Sequence, residues 1–333
     1  MDTKMLLSQI ELELQKQISR LDVPRTKSFH EMLTYHMGWT GEGAGPEATG
    51  KRIRPLLVLL CTSAASGDWK NALPAAAAVE LVHNFSLVHD DIQDNSKKRR
   101  GRPTTWVKWG APMAINAGDA LFVISNQAII ALKENYHAEL VVKAAEILNN
   151  TCLELTRGQF LDMSYEERAD LGVNDYWPMI AGKTAALLSA CCHIGALLGG
   201  ADDAKQEAYR SFGHYLGLAF QVQDDILGIW GNEALTGKSA ASDLVEGKNS
   251  LPVLAGLSAN GKFATRWKQG PIQTTEVQEL ARILASEGGY EKANDAAKQM
   301  TDLALMSLRE ADPQGEAGEA LFELADKLLR RNQ

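Results

Sequence analysis

The sequence predicts an all-α fold, and three observations carry that prediction. Apolar residues recur at three- and four-residue spacing along most of the chain, alternating β-branched runs are absent, and Gly and Pro fall mostly between the periodic segments, as in Gly101-Arg-Pro103, Gly110-Ala-Pro112 and Gly199-Gly200. No internal repeat or interdomain linker interrupts the 333 residues, so a single domain spanning 1–333 is expected.

The elements follow in order. Leu6, Leu7, Ile10, Leu14, Ile18 and Leu21 form an apolar stripe between charged residues, an amphipathic opening helix that needs a partner. Gly38 to Gly50 is glycine-rich and reads as a loop throughout. Helical periodicity then covers about 51–66, 70–94, 111–133, 136–166, 174–199, 203–230, 250–258, 274–286, 289–311 and 315–331. The segments 72–89, 181–199 and 213–230 are apolar or Ala-rich nearly all round, which marks central helices wrapped by amphipathic ones.

Composition narrows the function. Hydrophobic residues make up 45% of the chain, enough for a large core. A net charge of −8 and a pI near 5.5 argue against a nucleic-acid surface, which needs a broad basic patch. Four cysteines, two of them adjacent as Cys191-Cys192, lack metal-ligand spacing and disulfide density, so buried thiols are expected. With no secretory signal and no uninterrupted apolar run of membrane-spanning length, the expectation is a cytoplasmic protein without an integral membrane segment.

Chemistry concentrates in two acidic groups. In Asp90-Asp91-Ile92-Gln93-Asp94, Asp90 and Asp94 fall i, i+4 on one helix face and can grip one hard cation. Gln221, Asp224 and Asp225 form a second polar face inside an otherwise apolar helix. Either group alone is explained by a solvated helix end, but carboxylates on a central helix are costly unless they line a polar cavity or bind metal. Two of them point to opposing cavity walls bridged by Mg²⁺.

Cations accompany the acids: Lys51-Arg52-Ile53-Arg54, His83, Arg99-Arg100, Lys183, Lys238 and Lys248. Singly, each is an ordinary surface charge or a satisfied core histidine. Lys183-Thr184, however, interrupts an Ala-rich helix, and a buried ammonium needs an anion. Phosphate would serve all of them, arginine bidentately and lysine as a point charge. Gly231-Asn-Glu-Ala-Leu-Thr-Gly237-Lys238-Ser239 imitates a P-loop, but its spacing is one residue too long and it follows a helix. The sequons at Asn84 and Asn149 lie in predicted helices and are coincidental. No Ser-His-Asp or Cys-His signature appears, which favours chemistry without a protein nucleophile.

Taken together, these pieces resemble the trans-isoprenyl diphosphate synthases, or polyprenyl synthetases. They stand in family order: Gly50-Lys-Arg-Ile-Arg-Pro55, His89-Asp-Asp-Ile-Gln-Asp94 with Arg99-Arg100-Gly101, Gly118-Asp119, Gly158-Gln159 with Asp162, Lys183-Thr184, Gln221-Val-Gln-Asp-Asp225, and Lys238 with Asp243 and Lys248. The resemblance implies an isoprenoid synthase-type helical bundle around a deep central cavity, usually a homodimer. It implies that Asp90, Asp94 and Asp224 bind three Mg²⁺ ions holding an allylic diphosphate contacted by Arg99, Lys183 and Lys238. Lys51, Arg54, His83 and Arg100 match the isopentenyl diphosphate site, while Thr184 and Gln221 would face the developing allylic cation. Asp91, Gln159, Asp162 and Asp225 are supporting residues by the same comparison, and Lys248 helps to close the site.

Where the family commonly has Asp-Asp-x-x-Asp, this chain has Asp224-Asp-Ile-Leu-Gly228, so the last carboxylate is missing. Phe85, five residues before Asp90, and Ser86 occupy the family's chain-length positions. They imply a short product, geranylgeranyl diphosphate (C20) first and farnesyl diphosphate (C15) next. Two alternatives stand beside this reading. A terpene cyclase of the same fold would not need Lys51, Arg54 and Arg100, and a non-catalytic regulatory subunit would be inactive alone.

Overall fold

A computed structural model describes residues 1–166, 168, 170–231 and 241–329; the sequence-predicted ligand Lys238 lies outside them. The chain runs through α1 (Thr3–Ile18), α2 (Lys27–His36), α3 (Ile53–Ala64), α4 (Leu73–Gln93), α5 (Ala111–Ile130), α6 (Ala138–Tyr165), α7 (Val173–Leu198), α8 (Asp203–Trp230), α9 (Leu251–Ser258), α10 (Val277–Ser286), α11 (Gly289–Glu310) and α12 (Gly315–Leu329). Between α4 and α5, β1 (Lys98–Arg99) and β2 (Arg102–Pro103) form an antiparallel hairpin, the one sheet among the described residues. The all-α expectation holds, and α8 has both expected ends.

Three local expectations are corrected. α2 was not anticipated, because ten residues with two histidines give too short a period, yet Met32, Leu33 and Tyr35 are buried. The glycine-rich segment is not loop throughout: Pro46 starts one helical turn, Pro46–Thr49, where its missing N–H costs nothing. α7 is interrupted by a π-helical turn at Ala181–Ala185.

Two compact units are distinguished: residues 1–150, 190–206 and 313–321 form the first, and 151–189, 207–312 and 322–333 the second. In the first, Leu6, Ile10, Leu14 and Ile18 are fully buried, and α1 lays this stripe on α3 and α4. Each such leucine or isoleucine contributes about 1.5–3 kcal/mol by leaving water. α4 buries Ala75 to Val79, Leu81 and Val82 and packs along α5, where Gly118 leaves room for the His89 ring. Small residues along α4 permit that close approach. Cys61, Cys191 and Cys192 are buried free thiols, as expected.

The second unit is built on two apolar clusters. Tyr176, Ile180, Leu218, Val222, Ile226 and Leu254 belong to one. Ile229, Leu244, Phe263, Leu280 and Leu284 belong to the other.

By composition alone, Ala111–Glu134 and Val173–Leu198 are long and apolar enough to cross a membrane, with a mean hydropathy of 1.4. Burial inside the protein claims 72% of the apolar window in Val173–Leu198 and 44% of that in Ala111–Glu134. Core packing accounts for most of the former. α5 leaves Ile115, Val123 and Ile130 exposed.

Candidate active site

In the first unit, α4 carries the leading acidic group on its last turn. Asp94 caps the helix, its N–H bonded to Asp90 O at 2.9 Å, which sets the two carboxylates one turn apart. Asp91 is only 2% exposed and accepts from Arg99 Nε at 2.8 Å. Burial pushes the Asp91 carboxyl up to about 6, although Arg99 pulls the other way. Arg99 also reaches Asp90 at 3.4 Å. The acidic group is thus divided, with Asp91 holding an arginine that leans on Asp90.

Arg99 and Arg100 owe their placement to the hairpin, whose turn residues Arg100 and Gly101 have φ of 50° and 75°. Both central residues at positive φ match the twist that a two-residue turn needs. Arg100 Nη1 donates to Ala48 O at 2.8 Å.

The cations of Lys51-Arg52-Ile53-Arg54 have different duties. Arg52 adopts a left-handed φ of 49° and is 4% exposed; its guanidinium donates to Glu11 at 2.6 Å and Glu80 at 2.8 Å. That triad, buried at Arg52 and Glu80 and partly exposed at Glu11, fixes the backbone between an exposed Lys51 and Arg54 at the start of α3. Arg54 Nη1 lies 3.3 Å from His83 Nε2, while Arg54 Nε is buried with no hydrogen-bond partner. Burial and the neighbouring arginines push His83 well below its ordinary value, and Arg100 is lowered by the same two causes. Arg54 is lowered by burial. His36 falls to about 3 through burial and then Arg99, Arg100 and Arg52. Glu80 offsets Arg54 and Arg100 in part, but it is already paired with Arg52 at 2.8 Å, so an anionic ligand would add to the compensation here.

Phe85 packs its ring against Phe122 of α5 at 5.1 Å between centroids and against His89 at 5.8 Å. Ser86 Oγ donates to His83 O at 2.8 Å, folding back on its own helix. Phe122 was missed in the sequence because only packing brings α5 against Phe85.

In the second unit, the π turn of α7 presents Lys183 and Thr184. Gly158 of α6 allows that turn to approach, since a Cβ there would collide with the Lys183 backbone. Lys183 Nζ makes a close ion pair with Asp162. Thr184 Oγ1 donates to Gln221 Oε1 at 2.8 Å, and Gln221 Nε2 donates to Asp225 Oδ1 at 3.0 Å. Asp225 Oδ2 accepts from Tyr176 at 2.7 Å and from Leu251 N at 3.1 Å. Burial pushes Asp225 up to about 6 in spite of these donors. Tyr176 sits in an ordinary helical apolar pattern, and nothing in the sequence marks it.

Asp224 is half-buried, on the turn preceding Gly228. Beside Gly228 lies the buried Asp243 carboxylate, which accepts from Lys248 Nζ at 3.1 Å. Burial lowers Lys248, but Asp243 and Glu246 outweigh it and leave the ammonium raised above its ordinary range. Gln159 is half-buried on α6, one residue beyond the Gly158 contact.

Among the described residues, no three His, Cys, Asp or Glu side chains gather into a ready metal cage. Carboxylate pairs of this kind fit Mg²⁺, a hard cation that retains waters and takes one or two carboxylates together with substrate phosphates.

A helical protein with carboxylate pairs and desolvated arginines defines a class built to hold phosphorylated ligands. The chain belongs to the polyprenyl synthetase family, whose model matches residues 45–285, and it is a transferase of prenyl groups. It is 41% identical over 287 residues to the geranylgeranyl diphosphate synthase of Mycobacterium tuberculosis, covering 84% of this chain and 81% of that one. It is 37% identical over 311 residues to the (2E,6E)-farnesyl diphosphate synthase of the same organism, covering 90% and 85%. The crystal structure of a polyprenyl synthetase from Streptomyces coelicolor superposes with a TM-score of 0.86 at 34% identity, covering 96% of each chain.

Proposed function

We propose that the protein joins isopentenyl diphosphate to an allylic diphosphate and releases all-trans geranylgeranyl diphosphate (C20), with farnesyl diphosphate (C15) the nearest alternative. The observation that carries this reading is the buried cluster in which Arg54 Nη1 lies 3.3 Å from the neutral His83 ring and keeps Nε without a hydrogen-bond partner, with Arg100 held nearby by Ala48 O. A terpene cyclase has no use for it. In this reading the diphosphate of the isopentenyl substrate binds Lys51, Arg54, His83 and Arg100.

Asp90, Asp94 and Asp224 would hold Mg²⁺, three ions in all, which when bound neutralise charge on the departing diphosphate. Arg99, Lys183 and Lys238 bind that same group. Thr184 and Gln221 turn oxygen towards the allylic cation. Because Thr184 donates its proton to Gln221 Oε1, its lone pairs are left for the cation, and Asp225 with Tyr176 keeps Gln221 in that orientation. Asp91 and Asp162 restrain Arg99 and Lys183, Gln159 supports the Lys183 turn, and Lys248 closes over the diphosphate. Phe85, Ser86 and Phe122 form the floor that stops the growing chain.

The protein is further proposed to act as one catalytic domain over 1–333, as a cytoplasmic homodimer. Exposed Ile115, Val123 and Ile130 on α5 support an apolar subunit contact. Release of inorganic diphosphate tests the reaction class. A synthase requires both substrates, a cyclase releases diphosphate from the allylic substrate alone, and a regulatory subunit releases none.

A further inference from the structure

Arg102 is assigned no contact with substrate above, and each nitrogen of its guanidinium is engaged by the protein. It is 7% exposed, and donates from Nε to Glu42 O at 2.9 Å, from Nη1 to Tyr35 O at 2.9 Å and from Nη2 to Thr40 O at 2.6 Å. Its Cζ also lies 4.0 Å from the Tyr35 ring centroid. A cation bound to three carbonyls and an aromatic face has little capacity left for substrate.

All these partners lie in the segment that ends α2 and enters the glycine-rich loop. That loop has Gly38, Gly41, Gly43, Gly45 and Gly50 at positive φ. Such a chain is costly to order, because glycine loses more backbone freedom than any other residue. Gly41 and Gly43 wrap so closely around Arg102 that a Cβ on either would stand 3.3 Å from its side chain. One rigid fork thus ties the end of α2, through Tyr35 O, to the loop's near half, through Thr40 O and Glu42 O.

The far half of the loop holds Arg100. Ala48 O accepts from Arg100 Nη1 at 2.8 Å, and Gly50 lies flat against the guanidinium, where a Cβ would stand 2.7 Å from Cζ. Arg99 and Arg102 are paired across the hairpin, with Arg100 in the turn between them. One end of the hairpin therefore grips the loop, and the loop in return orients the arginine at the hairpin's tip.

We propose that Arg102 is a positioning residue for the isopentenyl diphosphate pocket, acting by fixing the loop whose Ala48 carbonyl and Gly50 backbone aim Arg100. This rests on the synthase reading above and adds to it a specificity role for the loop. The sequence holds the signal only weakly, since Arg102 looks like one more member of a basic run.

The test is steady-state kinetics with each substrate varied separately, on Arg102→Leu, Arg100→Leu, their double variant and Gly50→Ala. Loss of one well-aimed charge-assisted contact corresponds to about a tenfold rise in KM for isopentenyl diphosphate. Arg102→Leu is expected to show that rise with KM for the allylic substrate unchanged. Gly50→Ala, which displaces Arg100 without touching Arg102, should show the same split and keeps the test open if Arg102→Leu fails to fold. In the Arg100→Leu background, Arg102→Leu should add little. Equal rises in both KM values, or effects of the two arginines that multiply, would overturn the proposal. A wild-type protein that does not elongate at all would instead remove the synthase reading.

Discussion

The Asp243 carboxylate lies against Gly228 in the space a side chain at that position would occupy. Gly228 stands one turn beyond Asp224, where the second acidic motif of the family commonly has its last aspartate. Here the carboxylate beside that turn comes from another segment and is held by Lys248 at 3.1 Å. The apparent defect in the motif is accompanied by an acid from elsewhere.

Restoring the usual motif should therefore harm the protein. Gly228→Asp forces a Cβ into Asp243 and sets a third carboxylate beside buried Asp225 and Asp243. Overpacking of a buried site costs about 1–3 kcal/mol, and like charges add to it. Chemical denaturation should show that loss for Gly228→Asp and a smaller one for Gly228→Asp combined with Asp243→Gly. A single variant as stable as wild type would contradict the relationship.

Arg52 and Lys51 are neighbours with opposite predicted phenotypes. Arg52→Met leaves Glu80 and Glu11 without their counter-ion, and breaking a buried pair from one side costs about 3–5 kcal/mol. Lys51→Met removes an exposed charge and should leave stability within about 0.5 kcal/mol. Its effect should appear as a higher KM for isopentenyl diphosphate. Denaturation midpoints and KM values measured on both variants check the contrast.

Asp225 gives a pH dependence with a definite sign. Its folded value of about 6 lies above the ordinary 3.8, so the native state binds more protons between the two. Stability from this group is fully present below pH 4, falls as pH rises towards 6 and is flat above. The full swing is about 3 kcal/mol. Asp225→Asn should flatten that slope in denaturation series between pH 4 and 7. It should also reduce turnover, because an amide at Oδ1 opposes the Gln221 donor and disturbs the Thr184 hydroxyl. A wild-type slope retained in Asp225→Asn would contradict the assignment.

If Phe85 is the cavity floor proposed above, its contact with Phe122 makes product length a property of two helices. Phe85→Ala and Phe122→Ala should each shift products to longer chains, at a stability cost of about 3–5 kcal/mol where the ring is well packed. Chromatography of dephosphorylated products reads the shift. An unchanged distribution in both variants would remove the floor from this place.

What the sequence revealed followed physical regularity. Asp90 and Asp94 were readable as one face because helical spacing alone puts them there, and α8 was readable from end to end because its apolar period is unbroken. What stayed hidden depended on contacts between distant segments or on backbone detail. The π turn at Lys183 has the same apolar pattern as an α-helical one, and Tyr176 looked like core until its hydroxyl met Asp225. Arg52 was indistinguishable from Arg54 in a basic run, since a left-handed φ and two distant glutamates leave no local mark. Asp243 was visible as a family position, but its place beside Gly228 was not.

The most direct measurement is incubation of the purified protein with Mg²⁺, isopentenyl diphosphate and, separately, C5, C10 and C15 allylic diphosphates, with products resolved by length. Elongation from the allylic primers to a C20 end point is expected. A C15 end point would keep the reaction and move the floor closer, and longer products would discard the Phe85 floor. No elongation from any primer, where a control synthase works, would rule out prenyl chain elongation by this protein.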